Sequence, residues 1–93
     1  MSKQCLQISF FVKLTKNFMK DVVQENAVKF DLEGTAQVVS ENEVKIVACG
    51  KKDLMDKFID ALHTFSKKYD IENIELEPFI KTKDYRGVFR VIE

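Results

Sequence analysis

The chain has 93 residues, of which 45% are hydrophobic and 32% are charged, so it is long enough to fold around one modest core. Three glycines and one proline are too few for a disordered or loop-dominated chain. Fifteen basic and fifteen acidic residues balance, which excludes strong overall attraction to nucleic acid or to an anionic membrane. We therefore expect a single domain over residues 1–93, monomeric, with no nucleic-acid or membrane partner. Since no signal peptide or bilayer-length apolar run is present, we expect a cytoplasmic protein.

The first predicted elements are a strand and a helix. Apolar and polar residues alternate from Leu6 to Lys13, which predicts a half-buried strand. The period then changes to helical spacing, with Asn17 as a candidate N-cap. The recurring positions of this helix are Phe18, Met19, Val22, Val23, Asn26, Ala27 and Phe30.

A hairpin, a second helix and two more strands follow. Residues 35–39 and 44–49 are mostly β-branched or apolar and flank the polar turn SENE, which predicts a β-hairpin. Asp53 is the expected cap of the second helix. The expected buried stripe of that helix is Leu54, Phe58, Ala61, Leu62, Phe65 and Tyr69. The chain then alternates again in IENIELEPFI, turns at KTKDYRG and ends with VFRVIE.

This order of elements is β-α-β-β-α-β with a final extra strand. It predicts a ferredoxin-like α+β sandwich, in which two helices cover one face of an antiparallel sheet. Because enzymes, metal chaperones, RNA binders and regulatory modules all use this fold, the fold alone does not define a function.

Two stretches of sequence suggest a family. The first is the bend KLTKNFMK, residues 13–20, which lies at the position of a phosphate loop of the form R-V-Q-G-V-x-F-R. The second is EGTAQVVSENEVKIVACG, which lies at the position of the motif G-x-x-K-N followed by a turn, a strand and a closing glycine. From Lys13 to Gly50 the pairing needs no gap. Together with the length and the element order, these stretches resemble the acylphosphatases, and MSKQC and VACG are most similar to the bacterial members.

The resemblance implies a hydrolase of carboxyl-phosphate bonds that needs no metal and no cofactor, with a small anion or an acyl phosphate as its ligand. In the family an Arg at the end of the loop holds the phosphate, and an Asn orients the attacking water. Lys20 and Val38 occupy those two positions here. The resemblance assigns phosphate binding to Leu14, Thr15, Lys16, Asn17, Phe18 and Lys20.

These substitutions favour a degenerate acylphosphatase-like domain that hydrolyses acyl phosphates weakly or not at all. Lysine keeps the charge but lacks the planar fork of arginine, and Val38 can neither donate nor accept a hydrogen bond. Gln37 should face the opposite side of its strand. Two alternatives stay open: a working acylphosphatase with Lys20 in place of the Arg, and an interaction module that binds protein through the open sheet face or an edge strand.

Other residues have ordinary structural explanations. Lys13, Lys16 and Lys20 either form a weak anion site or a solvated basic patch. His63 is the only histidine and is expected on a helix surface, and no metal-ligand spacing occurs. Phe11 alone on an outer sheet face is a weak indication of base stacking.

Cys5 and Cys49 are the only cysteines. In the predicted fold the first and third strands are antiparallel neighbours, and both residues fall at the same end of the sheet on the face away from the helices. That geometry permits a disulfide. The expected compartment favours two free thiols instead.

Overall fold

One five-stranded sheet organises the computed structural model, which describes residues 3–13, 17–78 and 87–92. The strands are β1 (Lys3–Phe11), β2 (Glu33–Ser40), β3 (Glu43–Lys51), β4 (Glu72–Pro78) and β5 (Phe89–Ile92). Their order across the sheet is β4-β1-β3-β2-β5. β1 is antiparallel to both β3 and β4, and β3 is antiparallel to β2.

The predicted fold class is confirmed, with one correction at the edge of the sheet. We expected an antiparallel sheet, whereas β5 pairs in parallel with β2, through Gly34–Phe89 to Gln37–Ile92. The sheet is therefore mixed. Given the pairings, β5 runs opposite to β4, so the chain leaves β4 and enters β5 at the same end of the sheet.

Two helices pack on one face of this sheet. The first, α1, starts as a π-helical segment, Met19–Gln24, and continues as an α-helical segment, Glu25–Lys29. In the wider first segment the Glu25 N–H donates to the Lys20 carbonyl, five residues earlier. The second helix, α2, spans Lys52–Tyr69. Neither described helix combines the length and the hydropathy that a membrane crossing requires.

The core lies between the helices and the sheet. Alternate residues of β1 and β3 face it, as the period-two pattern predicts. Met55 is fully buried although it was not in the expected buried stripe of α2. The expected cap of α2 is also corrected: the helix begins at Lys52 with Lys51 as its N-cap, so Asp53 lies in the first turn. The buried apolar residues of the strands and helices are Leu6, Ile8, Phe10, Phe18, Met19, Val22, Val23, Ala27, Ala36, Val44, Ile46, Ala48, Met55, Phe58, Leu62 and Phe89.

A disulfide links the neighbouring strands β1 and β3 on the face of the sheet away from the helices. The β1–β3 register places Cys5 directly opposite Cys49, with a Cα–Cα distance of 4.1 Å, and their Sγ atoms are bonded at 2.07 Å. Of the two arrangements that the sequence left open, the structure contains the bridge. It lies at the end of β1 opposite to the predicted phosphate loop.

The edge strand β4 is irregular and acidic. Its pairing with β1 shifts between Ser9 and Phe11, and Asn73 adopts a left-handed φ of 56° on the strand at this point. The shift corresponds to a β-bulge. Glu75 and Glu77 are exposed, and their cross-strand neighbours on β1, Ser9 and Gln7, are uncharged.

Gly34 is required where β2 passes β3 closely. Its φ is +142°, and an added Cβ would lie 1.8 Å from the Val47 carbonyl oxygen, which belongs to the central strand and cannot easily move. We expect Gly34→Ala to lower the free energy of unfolding by about 3 kcal/mol, since backbone strain and overpacking act together.

Gly87 provides the matched control for that substitution. Its φ is also positive, at +71°, but within the described part of the chain no atom beyond its two neighbours lies within 4 Å of a Cβ built there. Chemical denaturation should therefore show a clearly smaller loss for Gly87→Ala. Equal losses in the two variants would mean that the contact with Val47 is not the cause.

Candidate active site

The candidate site lies where β1 leads into α1. Leu14, Thr15 and Lys16 of the predicted phosphate loop lie outside the described residues. Asn17 is exposed, and its carbonyl accepts the N–H of Asp21 at 2.8 Å, so Asn17 takes part in the first helical turn through its backbone. Phe18, the residue before the π-helical segment, makes no side-chain cap.

Phe18 connects the start of α1 to the core. It is 1% exposed, and its ring makes edge-to-face contacts with Phe10, at a centroid distance of 6.2 Å, and with Tyr69, at 5.4 Å. Such pairs stabilise a core beyond simple burial. The side chain of Phe18 is therefore committed to packing, and only its backbone amide remains as a candidate phosphate donor.

Lys20 points away from the core on the outer side of α1. It is exposed and lines a shallow depression of about 270 Å³. The other lining residues are Asp21, Gln24, Glu25 and Val28. Two of these are carboxylates, which lower the positive potential that Lys20 offers to an anion.

Lys13 lies in a different depression, an open cleft of about 610 Å³. The cleft is formed by three segments that meet at the same end of the sheet: the end of β1, the β2–β3 turn and the α2–β4 junction. Its lining is Phe11, Val12, Lys13, Glu41, Asn42, Asp70 and Glu72. Among the described residues, Lys13 and Lys20 line different depressions, and residues 14–16 between them lie outside the described part of the chain.

The cleft is more acidic than the sequence indicated. Three carboxylates, those of Glu41, Asp70 and Glu72, accompany the single lysine. The Val12 N–H donates to the Asn42 carbonyl at 2.8 Å, which ties the β2–β3 turn to the end of β1. The predicted topology already places these segments at one end of the sheet, so this acidic lining could have been inferred from the element order.

Val38 faces the helices, where its side chain is half-buried against the core. It pairs with Val44 on β3, and the preceding residue, Gln37, pairs with Lys45 and is exposed. Successive strand residues point to opposite faces, so Gln37 lies on the open face of the sheet. Gln37 therefore provides no amide on the side of the sheet that Val38 occupies.

In the described part of the chain, the His, Cys, Asp and Glu side chains are not clustered as they would be in a metal centre. His63 is exposed on α2. Within residues 3–13, 17–78 and 87–92, no group of three or more His, Cys, Asp or Glu side chains is arranged to hold a metal ion.

The fold and the position of this site define a ferredoxin-type α+β domain whose candidate site lies between the first strand and the first helix. Solved structures of this class match over nearly the whole chain. An acylphosphatase from Coxiella burnetii superposes with a TM-score of 0.81 at 24% identity, covering 97% of this chain and 93% of that one. An acylphosphatase from Bacillus subtilis gives 0.82 at 17% identity, with coverages of 99% and 100%.

A much larger protein contains a similar domain. The HypF protein of T. kodakarensis matches with a TM-score of 0.74 at 20% identity, covering 99% of this chain but 12% of its own. These identities establish likeness of fold alone. No curated protein sequence matches significantly.

The family model for acylphosphatase matches residues 17–91, and the chain belongs to the acylphosphatase family. The match begins at Asn17, after Lys13 and the three loop residues that follow it. It includes the positions of Lys20 and Val38.

Proposed function

We propose that this protein is a degenerate acylphosphatase domain, which retains the family fold and hydrolyses acyl phosphates poorly or not at all. The observation that supports this most directly is Val38, a half-buried apolar side chain at the position where the resemblance expects the water-orienting Asn. Loss of one positioned transition-state donor typically lowers the rate by about a hundredfold to a thousandfold.

The placement of the lysines supports the same proposal. A hydrolase without a metal depends on holding the phosphoryl group precisely, and an ammonium group does this less well than the planar guanidinium that Lys20 replaces. Carboxylates line both depressions and reduce the attraction for a phosphate dianion. We therefore propose that any remaining binding of phosphate or of another small anion at this bend is weak.

A working acylphosphatase is the second candidate function. Its support is the family match over residues 17–91, together with the positive charge that Lys20 retains. In that case Lys20 would hold the phosphate, and the backbone or another side chain would orient the water.

Hydrolysis of benzoyl phosphate separates the two candidates. We expect the purified protein to be at least about a hundredfold slower than an acylphosphatase with an intact Arg and Asn, because no side chain at residue 38 holds the water. Turnover should be measured for both enzymes under the same conditions, with an identically purified unrelated domain to correct for spontaneous hydrolysis. A rate within tenfold of the intact enzyme would support the working acylphosphatase and overturn the degenerate one.

A further inference from the structure

The two cysteine residues of the disulfide differ in exposure. Cys49 is 1% exposed, whereas Cys5 is partly exposed. Cys49 lies on the central strand β3 and is paired on both sides, with Cys5 on β1 and with Glu33 on β2.

Thiol–disulfide exchange has a directional requirement that this arrangement satisfies for one sulfur only. A thiolate attacks one sulfur in line with the S–S bond, from the side opposite to the sulfur that leaves. Since Cys5 and Cys49 are directly opposite on neighbouring strands, the S–S bond crosses from β1 to β3. In-line attack on Cys49 would have to come from the side of β2, where Glu33 pairs with Cys49 and is itself buried at 6% exposure.

We propose that Cys5 is the site at which low-molecular-weight thiols attack this protein, giving a mixed disulfide on Cys5 and a free thiol at Cys49. The incoming thiolate sulfur forms a bond to Cys5 Sγ, the Cys5–Cys49 bond breaks, and Cys49 Sγ leaves with the bonding electron pair and takes up a proton. The incoming thiol and the disulfide supply all the atoms and electrons, so no further oxidant or reductant is needed.

The hydration of the leaving thiolate favours attack on Cys49 instead of Cys5. The difference in how easily a nucleophile reaches the two sulfurs is the larger effect. A thiolate that leaves at buried Cys49 is poorly hydrated, which makes the exchange slow. Attack on Cys49 would release the better-hydrated Cys5 thiolate, but it requires the nucleophile itself to enter space that the protein already fills. Burial of Cys49 therefore slows the reaction without redirecting it.

Quenched exchange on the native protein tests the site of attack. The oxidised native protein is incubated with reduced glutathione, samples are quenched at early times in denaturant with excess N-ethylmaleimide so that either thiol can be labelled, and peptides are identified by mass spectrometry. We expect glutathione on Cys5 and N-ethylmaleimide on Cys49 to exceed the reverse pattern by at least about tenfold, because exchange follows access. Equal labelling of the two cysteines in the folded protein would overturn the proposal.

Two single-cysteine variants provide a matched second measurement. Cys49→Ser leaves Cys5 as the only thiol, and Cys5→Ser leaves Cys49, while both remove the disulfide. With an aromatic disulfide reagent, Cys5 should react at least about tenfold faster than Cys49 in the folded variants and at nearly the same rate in denaturant. Equal rates without denaturant would contradict the proposal, and a difference that persists in denaturant would assign the asymmetry to local sequence and also contradict it.

Discussion

Lys20→Arg combined with Val38→Asn is expected to raise the rate of acyl-phosphate hydrolysis about a hundredfold to a thousandfold over that of the unmodified protein. This is the typical effect of one positioned transition-state donor. The guanidinium can hold two phosphate oxygens at once, and the amide on the helix-facing side of β2 can orient water. Lys20 is exposed, so the larger guanidinium can be accommodated there without disturbing the core. Turnover of benzoyl phosphate measures the gain.

The single variants should behave differently from the pair. Lys20→Arg alone should mainly strengthen phosphate binding, which backbone amide shifts in a phosphate titration will report. Val38→Asn alone should change the rate little, because the substrate is still loosely held. Two residues that act on one transition state are expected to be more than additive.

The matched control for this pair uses neighbouring residues. Lys29→Arg adds a guanidinium at the far end of α1, and Val39→Asn adds an amide at an exposed position beside Val38. This control pair should leave the rate unchanged. If the test pair is folded and its rate does not exceed that of the control pair, the correspondence of Lys20 and Val38 with the family's Arg and Asn is wrong.

Loss of the Cys5–Cys49 bridge is expected to lower the free energy of unfolding by about 4 kcal/mol, the value that the chain-entropy relation gives for a loop of this length. The two cysteines are 44 residues apart in sequence, so the bridge closes a large loop in the unfolded chain. Domains of this size are commonly stable by about 5–15 kcal/mol, so the loss would be a large share of the total. Urea unfolding with and without a reductant measures it.

The double variant Cys5→Ser with Cys49→Ser is the control for the reductant. It should have the stability of the reduced protein, and adding the reductant should not change it further. An oxidised protein no more stable than this variant would contradict the expected effect. A purified protein with two alkylatable thiols and no bridge would show that the disulfide does not form under those conditions.

Residue periodicity predicted most of the fold. The alternation around Ile8 and Phe10 places them in the core, and the same rule correctly puts Gln37 and Val38 on opposite faces. The strand neighbours inferred from the fold class also brought Cys5 opposite Cys49. These inferences succeeded because burial on one face of a strand is set locally, by which side chains are apolar.

The remaining features depend on distant parts of the chain. Alternation in VFRVI is the same for a parallel and an antiparallel partner, so the direction of β5 was not available from it. The sequence also does not predict that Met19–Gln24 is π-helical. The buried positions of this segment, Met19, Val22 and Val23, fit an ordinary α-helix equally well. The acidic lining around Lys13 comes from three segments far apart in sequence, which residue periodicity alone does not bring together although the predicted element order does.

The irregular edge strand β4 affects how molecules of this protein behave towards one another. An exposed, flat strand edge is a template on which a second chain can add its own strand and begin a fibril. Here the left-handed residue Asn73 bends the edge, and a second copy aligned along β4 would bring its own Glu75 and Glu77 close to those of the first. Bulges and like charges are devices that oppose such pairing. We therefore expect β4 to oppose aggregation through this sheet edge in a chain with no net charge, which has little overall repulsion between its copies.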